Sequence, residues 1–278
     1  MEILYGLHPV EEALRAGNRR FDHVCVAKER HDERLQRVID QCRELGVRLR
    51  FEPRDHLTQL ARNAGHQGVV AVVRAKAVLD LEDLLAPADE PAAGPPRLLL
   101  ALDGVEDPQN LGALLRTADA AGVDGVMLTE RRAAPLSAVA VKASAGAAEH
   151  VRIARVVNLT RSLERLKEQG VWIVGLDERA TMDYDAFDYT GPCALVLGRE
   201  GAGLHDLVRR TCDQLLRIPM AGAVSSLNVS VAGAVVLYEA ARQRRAAAAA
   251  RAPIEIPAAK KQKGLASIAA EPAVSRKR

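Results

Sequence analysis

The 278-residue sequence predicts an α/β protein with a small N-terminal domain and a larger C-terminal domain. Apolar strand-like runs alternate with amphipathic helical segments, which is typical of a mostly parallel sheet covered by helices on both faces. An acidic segment that ends in a Pro-, Ala- and Gly-rich stretch, AVLDLEDLLAPADEPAAGPP, divides the chain. We therefore predict domains at 1–76 and 97–246, joined by a linker at 77–96.

The N-terminal segment alternates between the two types of secondary structure. HVCVA and VRLRF have the composition of strands, whereas HDERLQRVIDQCRELG and RDHLTQLARNAG have the periodicity of helices. The β-branched run HQGVVAVVRAK closes the unit as a further strand.

The C-terminal segment starts with RLLLALDG and contains six predicted strands, mostly separated by helices. In NLTRSLERLKEQG, Asn158 is a candidate N-cap and Gly170 a stop signal. A last helix is predicted at about 226–245, and the compositionally biased tail 247–278 is predicted to be disordered. The predicted strands are 97–102, 125–129, 151–156, 171–176, 194–198 and 214–218.

Composition narrows the functional class. No apolar run has the length of a membrane span, and MEILYGLHPVEE lacks a signal-peptide pattern, so we expect a cytoplasmic protein without membrane contacts. None of the four cysteines forms a CxxC pair and the histidines are not spaced for zinc, which predicts buried reduced thiols and no metal.

Charge is distributed unevenly. From Arg245 onward there are eight basic and two acidic residues, whereas the rest of the chain has 31 basic and 34 acidic residues. The tail therefore has the composition of a flexible, non-specific nucleic-acid-binding arm. In the N-terminal domain, Arg19, Arg20 and Lys28 are candidate RNA contacts, although a solvated charged surface is the favoured explanation for each.

The stretch EDPQNLGALLRTADAAG at 106–122 predicts a helix with Asp107 as N-cap and proline at its first position. Its leucines form an apolar stripe that faces the core. Packing does not explain Asn110 in the first turn or Arg116 outside the stripe.

Two further stretches combine glycines with polar residues. ALVLGREGAGL at 194–204 is neither a P-loop nor a Rossmann turn at the first βα unit, although its glycines allow a ligand to approach the backbone. In SSLNVSVAG, Ser225 or Ser226 can simply cap the following helix. All three stretches follow strands, and ligands bind open parallel sheets at the carboxyl ends of strands, so together they predict one site.

In order, DGVEDPQNLGALLRTADAAG, LVLGREGAGL and IPMAGAVSSLNVSVAGAVVLYE resemble the three motifs of the SpoU (SPOUT-class) RNA ribose 2′-O-methyltransferases, across residues 97–245. YGLHPVEEAL and HQGVVAVV resemble the ribosomal-protein-like RNA-binding domain of the branch that modifies guanosine in bacterial large-subunit rRNA. The resemblance implies a C-terminal deep trefoil knot, S-adenosylmethionine as cofactor, an rRNA substrate, and a homodimer whose active sites use both chains.

The same resemblance implies roles for individual residues. Arg116 would be the catalytic arginine, with Asn110, Glu200 and Asn228 positioning substrate, arginine and cofactor. Because guanidinium groups normally keep their proton, an arginine that holds the hydroxyl and the adjacent phosphate is chemically simpler than one that acts as a base. The implied cofactor-binding positions are Leu197, Gly198, Ile218, Met220, Ser226 and Leu227.

Three other functions compete with rRNA methylation. A tRNA ribose methyltransferase, or a resistance-type rRNA enzyme acting on another nucleotide, shares the catalytic motifs and would differ in the N-terminal domain. A non-catalytic RNA-binding assembly factor would have lost motif residues such as Asn110, Arg116 or Asn228, and all three are present. An oxidoreductase with a nucleotide cofactor is disfavoured because GxGxxG is absent from the first βα turn.

Overall fold

The fold was analysed in a computed structural model that describes residues 1–30, 32–86 and 97–251. Its N-terminal unit is a four-stranded mixed sheet with strand order β1-β4-β2-β3. Strands β2 and β3 are parallel, whereas β4 runs antiparallel to both β1 and β2. The elements of this unit are β1 (Glu2–Tyr5), α1 (Leu7–Ala16), β2 (Phe21–Ala27), α2 (Glu33–Glu44), β3 (Leu49–Glu52), α3 (Arg54–Ala61) and β4 (Val69–Val73).

The C-terminal unit contains a seven-stranded sheet with strand order β7-β6-β5-β10-β8-β11-β9. Every neighbouring pair in it is parallel, which confirms the predicted sheet type. Two short 3₁₀ turns, Ala147–Glu149 and Tyr184–Ala186, complete the unit. Its other elements are α4 (Leu81–Leu85), β5 (Leu98–Leu102), α5 (Pro108–Ala121), β6 (Gly125–Thr129), α6 (Ala138–Ala143), β7 (Ile153–Val156), α7 (Leu159–Glu168), β8 (Trp172–Leu176), β9 (Met182–Asp183), β10 (Cys193–Leu197), α8 (Asp206–Thr211), β11 (Gln214–Arg217) and α9 (Val229–Arg251).

Strand β5 shows why the central strands are apolar throughout. Side chains alternate across a sheet, so Leu98, Leu100 and Leu102 belong to the core beneath α5 and α9. Leu99 and Ala101 point to the opposite face and belong to the core beneath α4, α7 and α8. Both faces of the strand are therefore buried, as a helix-covered parallel sheet requires.

Helix α5 begins and ends as its sequence predicts. The Asp107 side chain accepts a hydrogen bond from the backbone N–H of Asn110 at 2.9 Å, and Pro108 occupies the first turn. Gly112 allows α6 to pack closely, since a Cβ there would lie 2.4 Å from the Ala143 Cβ. The predicted cap of α7 is also confirmed, because Asn158 accepts from the backbone N–H of Arg161 at 3.0 Å.

Two predicted boundaries need correction. The segment predicted as the start of the linker contains α4, whose leucines are buried against the large sheet, and the backbone of Leu79 bonds to Ile153 and Arg155 beside β7. Helix α9 continues to Arg251, past the predicted tail start at 247, because the alanines at 246–250 have the highest helix propensity. The remainder of the linker, 87–96, and of the tail, 252–278, lies outside the described residues.

The two units are in direct contact. Strand β1 and helix α1 of the N-terminal unit pack against α6 and the turn Ala147–Glu149. Ala138, at the start of α6, packs against the N-terminal core cluster that includes Tyr5 and Leu57. No helix in the described part of the chain is long and apolar enough to cross a membrane.

Candidate active site

The three motif loops meet at one edge of the large sheet. They follow β5, β10 and β11, and these parallel strands end at the same edge. The backbone N–H of Asp103, directly after β5, donates to the carbonyl of Leu197 at the end of β10 over 2.8 Å. The predicted convergence of the three loops is thus confirmed.

Asn110, Glu200 and Asn228, one from each motif, form a hydrogen-bonded group that we call the amide–carboxylate cluster. The Asn110 side-chain amide donates to Glu200 Oε1 at 2.7 Å, and the Asn228 amide donates to the same oxygen at 2.6 Å. Asn228 also donates to Asn110 Oδ1 at 3.0 Å. Asn110 is buried and Glu200 is exposed, so the cluster is anchored on its protein side and open toward solvent.

Asn228 is fixed by a second role at the start of α9. Its Oδ1 accepts from the backbone N–H and the hydroxyl of Ser230 at 2.9 and 2.6 Å. The alternative in which Ser225 or Ser226 caps this helix is excluded, because α9 begins at Val229 and the residue directly before it supplies the cap. The capping bonds leave the Asn228 amide pointing toward Glu200.

A pair that the sequence analysis did not identify braces the loop after β10. Asp103 is buried, and its carboxylate accepts from the backbone N–H of His205 at 2.7 Å and lies 2.8 Å from His205 Nδ1. This pair ties the first residue after β5 to the residue preceding α8. The position of Asp103 directly after a buried strand was the available signal, but nothing local to the sequence linked it to His205.

Gly198 makes the turn after β10 sterically possible. A Cβ at this position would lie 2.2 Å from the Gly203 carbonyl carbon and 2.4 Å from the Leu204 nitrogen. The turn closes on itself through mutual backbone hydrogen bonds between Arg199 and Gly203, at 3.0 and 2.9 Å. Any larger residue at 198 must displace backbone, so this requirement for glycine is steric.

A cavity of about 410 Å³ lies between the loops that follow β8, β10 and β11. Its volume is in the range of pockets that bind nucleotide-sized ligands. The lining combines apolar side chains with charged residues such as Arg199 and Asp177 at the end of β8. All six predicted cofactor-binding residues line it: Leu197, Gly198, Ile218, Met220, Ser226 and Leu227.

The donors around this cavity fit a nucleoside cofactor with a polar tail. Among the described residues, no backbone hydrogen bond engages 219–227, so the peptide groups of this loop are available to an adenine edge. The Arg199 Nε is buried and has no partner in the described part of the chain, beside residues that line the cavity. Apolar side chains from two loops supply surfaces for the flat base.

Arg116 stands apart from this arrangement within one chain. It lies six residues after Asn110 on α5, which corresponds to a rise of about 9 Å along the helix axis. Its side chain is exposed, does not line the cavity, and makes no hydrogen bond or ion pair with any residue that the structure describes. One chain therefore brings together the other predicted site residues but not this arginine.

Three of the four cysteines have the buried environment that the sequence predicts, whereas Cys212 is half-buried. All four are free, and Cys25, Cys42 and Cys193 are buried. Burial raises the pKa of the Cys42 thiol to about 11 and that of the Cys212 thiol to about 12, which keeps both protonated near neutral pH. Among residues 1–30, 32–86 and 97–251, no group of three or more His, Cys, Asp or Glu side chains could hold a metal ion.

Comparison with protein families matches both units. Residues 97–238 match the SpoU rRNA Methylase family, and residues 3–78 match the family described as RNA 2′-O ribose methyltransferase substrate binding. The 23S rRNA (guanosine-2′-O-)-methyltransferase RlmB of Vibrio vulnificus is 47% identical over 248 residues, covering 88% of this chain and 98% of the relative. RlmB of Escherichia coli is 45% identical over 246 residues, covering 87% and 99%.

Solved structures show the same architecture. The SpoU methyltransferase AviRb from Streptomyces viridochromogenes, in complex with the cofactor AdoMet, superposes with a TM-score of 0.73 at 27% identity and covers 88% of this chain and 90% of its own. An AdoMet-bound rRNA methyltransferase from Sinorhizobium meliloti gives a TM-score of 0.71 at 29% identity, with 87% of each chain covered.

Proposed function

The chain belongs to the SpoU rRNA Methylase family, and from that premise we propose that it methylates the ribose 2′-hydroxyl of a guanosine in large-subunit rRNA. It is an S-adenosylmethionine-dependent RNA methyltransferase. One observation carries the residue-level proposal. The second and third family motifs line one cavity, and the amide–carboxylate cluster joins all three motifs at the same edge of the sheet.

The cavity at 197–232 is the proposed cofactor site. S-adenosylmethionine supplies an electrophilic methyl group on a sulfonium. Ile218 and Leu227 would pack on its base, while the free peptide groups of the loop 219–227 would bind the base edge. Gly198 keeps the turn compact enough to leave this space open. These residues would orient the methyl group, and such orientation supplies much of the rate enhancement in a transfer between two bound reactants.

The amide–carboxylate cluster would orient the attacking hydroxyl. Glu200 Oε1 already accepts from two amides, so its second oxygen remains available to a donor at the open side of the cluster. A ribose 2′-hydroxyl or the guanidinium of Arg116 is such a donor. Asn110 and Asn228 fix the carboxylate in place before substrate arrives, so little reorganisation is needed during the reaction.

We propose that Arg116 reaches the site across a homodimer. Helix α5, which carries it, packs against α9. On α9, Val231 and Tyr238 lie seven residues apart on the same face and are each 48% exposed. A second copy covering this apolar face would bring its Arg116 to the cleft, where the guanidinium would bind the hydroxyl and the adjacent phosphate and stabilise the developing oxyanion.

The remaining expectations follow from this assignment. The N-terminal unit, with boundaries near 1–76, would bind the rRNA, and the basic residues after Arg251 would add non-specific affinity. An rRNA substrate implies a cytoplasmic location. We also propose the deep trefoil knot, supported by the insertion of β10 between β5 and β8 and by the return of α9 onto α5.

The test is a methylation assay with purified components. The protein is incubated with S-adenosylmethionine and unmodified large-subunit rRNA, and digested fragments are analysed by mass spectrometry. We expect a single 2′-O-methylguanosine. Methylation of tRNA alone would identify a tRNA enzyme instead, and RNA binding without methyl transfer would indicate an assembly factor.

A further inference from the structure

A buried ion pair joins the two units of the chain. The Arg19 Nε, between α1 and β2, donates to Glu149 Oε2 in the turn after α6 at 2.7 Å. The two side chains are only 1% and 0% exposed. Arg19 also donates to Glu2 Oε2 at 2.5 Å, and the Asn18 amide donates to the Glu149 carbonyl at 3.3 Å. The prediction that Arg19 contacts RNA is therefore wrong, because its side chain is buried in the contact between the two units.

Lys76 adds a second buried cation at the same place. Its Nζ donates to the carbonyls of Ala148, Glu149 and Val151 at 2.5, 3.1 and 3.0 Å. Burial lowers the pKa of Lys76 below that of a free lysine, although the Glu149 carboxylate opposes this shift. Desolvation also acts against Arg19, but its bonds to Glu149 and Glu2 outweigh it and raise the arginine pKa. We call Arg19, Lys76 and Glu149 the interdomain charge cluster.

Further polar contacts at the rim of this interface also depend on precise geometry. Lys142 of α6 donates to the Gly65 carbonyl at 2.7 Å, and its ammonium lies 5.0 Å from the centre of the Tyr5 ring. His150 Nε2 lies 2.8 Å from Glu12 Oε2. Hydrogen bonds tolerate little displacement, so these contacts specify one orientation of the N-terminal unit.

The interface between the two units is also connected by direct packing to the helix that carries the first motif. The turn that holds Glu149 follows α6, and α6 is pressed against α5 at Gly112. Helix α5 carries Asn110 and Arg116. Only short, packed elements therefore separate the interdomain charge cluster from the residues assigned to methyl transfer.

A buried ion pair contributes little net stability, because the desolvation of both charges offsets their attraction. A shift that keeps the charges buried but breaks the pair is strongly unfavourable. Such a pair therefore selects an orientation more than it adds affinity. We infer that Glu149 and Arg19 are positioning residues for substrate: they fix the RNA-binding unit at one angle to the methyl-transfer edge. This inference rests on the proposed function.

The main test is Glu149→Gln in the full-length protein, assayed well below its unfolding midpoint. Without the ion pair the N-terminal unit could adopt several orientations, and only a fraction of them would bring bound RNA to the active site. We therefore expect KM for rRNA to rise by about tenfold or more. The value of kcat and the Kd for S-adenosylmethionine from calorimetry should change by less than about twofold, since neither site is touched.

The matched control is Asp40→Asn, which breaks an exposed ion pair with Arg43 in the same N-terminal unit. Both of its side chains are more than half exposed, at 62% and 51%, and the variant should match wild type in KM. Lys142→Met is a milder variant of the same interface and should raise KM in the same direction. Arg19→Gln combined with Glu149→Gln also removes the buried guanidinium that has lost its bond to Glu149, and it should recover part of the loss.

One outcome would overturn the inference: both Glu149→Gln and Lys142→Met lower the unfolding midpoint but leave KM for rRNA unchanged. The ion pair would then have a purely structural role. If the wild-type protein does not methylate rRNA at all, the proposed function fails. Orientation is then read by hydrogen exchange at β1 and at the turn 147–149. Faster exchange in Glu149→Gln than in Asp40→Asn would support the inference, and equal exchange would refute it.

Discussion

The amide–carboxylate cluster and the interdomain charge cluster are both small groups of polar side chains in a largely apolar protein, and they differ in how far they are exposed to solvent. In the first, Glu200 is exposed, and Arg116 on the same helix as Asn110 makes no hydrogen bond or ion pair with the described residues. In the second, Arg19 and Glu149 are almost fully buried and bonded to each other. The exposed cluster is accessible to a ligand, whereas the buried cluster is closed to solvent and holds the two units together.

The largest expected effect on catalysis comes from Arg116, which is exposed and free to contact a substrate. Arg116→Ala should lower kcat by about a thousandfold, because a cationic group that stabilises developing oxyanion charge is lost. Binding of S-adenosylmethionine, measured by calorimetry, should stay near wild type because Arg116 does not line the cavity. Arg161→Ala, an exposed arginine on α7 of the same domain, is the control and should be fully active. Near-normal turnover of Arg116→Ala would remove it from the catalytic site.

Mixing two inactive variants asks whether the open cluster is completed by a second chain. In a mixed dimer of Arg116→Ala and Glu200→Gln chains, one site has both native residues if Arg116 acts across the interface. Random assembly should then restore about a quarter of wild-type activity, given twofold symmetry. Size-exclusion chromatography after co-refolding confirms that dimers form. Absence of recovery in the co-refolded dimer fraction would place Arg116 and Glu200 in the same chain's site.

The buried interdomain charge cluster should matter more for stability than the exposed amide–carboxylate cluster, whereas the exposed cluster should matter more for turnover. Glu149→Gln removes the buried carboxylate from beside Arg19 and Lys76, so we expect the free energy of unfolding to fall by about 3 kcal/mol. Glu200→Gln alters an exposed side chain and should change it by less than about 0.5 kcal/mol, while lowering kcat by about ten- to a hundredfold through loss of the oriented carboxylate. Urea denaturation and steady-state kinetics measure both. Equal stability losses in the two variants would erase the distinction.

The proposed cofactor cavity also depends on the absence of a side chain at Gly198. In Gly198→Ala the new methyl group would overlap the Gly203 backbone, a conflict that costs about 1–3 kcal/mol. We expect Kd for S-adenosylmethionine to weaken by about ten- to a hundredfold. Gly191→Ala is the control, because nothing lies within 4 Å of its Cβ position. Unchanged cofactor affinity in Gly198→Ala would mean that this turn does not shape the cofactor site.

The smallest effect concerns the tail. Removing 252–278 deletes six basic and two acidic residues. RNA affinity should fall modestly, and the dependence of log K on log salt should become shallower because fewer counterions are released. Filter binding at several salt concentrations measures the slope. An unchanged slope would show that the tail makes no phosphate contacts, and methyl transfer itself should stay intact.

Sequence predicted most of the fold and much of the open cluster, because both depend on local patterns. Strand 125–129 matches β6 residue for residue, and Asp107 and Asn158 cap their helices as expected. The three loops were identifiable because glycines and polar residues follow apolar strands, and parallel strands bring such loops to one edge.

The rest could not be predicted because it depends on contacts between distant residues. Arg19 and Glu149 are 130 positions apart, and no local period marks either as buried. The pairing of Asp103 with His205 spans 102 positions. Helix α4 was mistaken for linker because five residues are too few to show a helical period.

The most direct test of the central claim is a map of ribose 2′-O-methyl groups on total rRNA and tRNA from a strain that lacks the gene for this chain. We predict that one guanosine of large-subunit rRNA loses its methyl group, and that wild-type protein restores it whereas Arg116→Ala does not. An intact large-subunit rRNA pattern, or a methyl group missing from tRNA instead, would contradict the account.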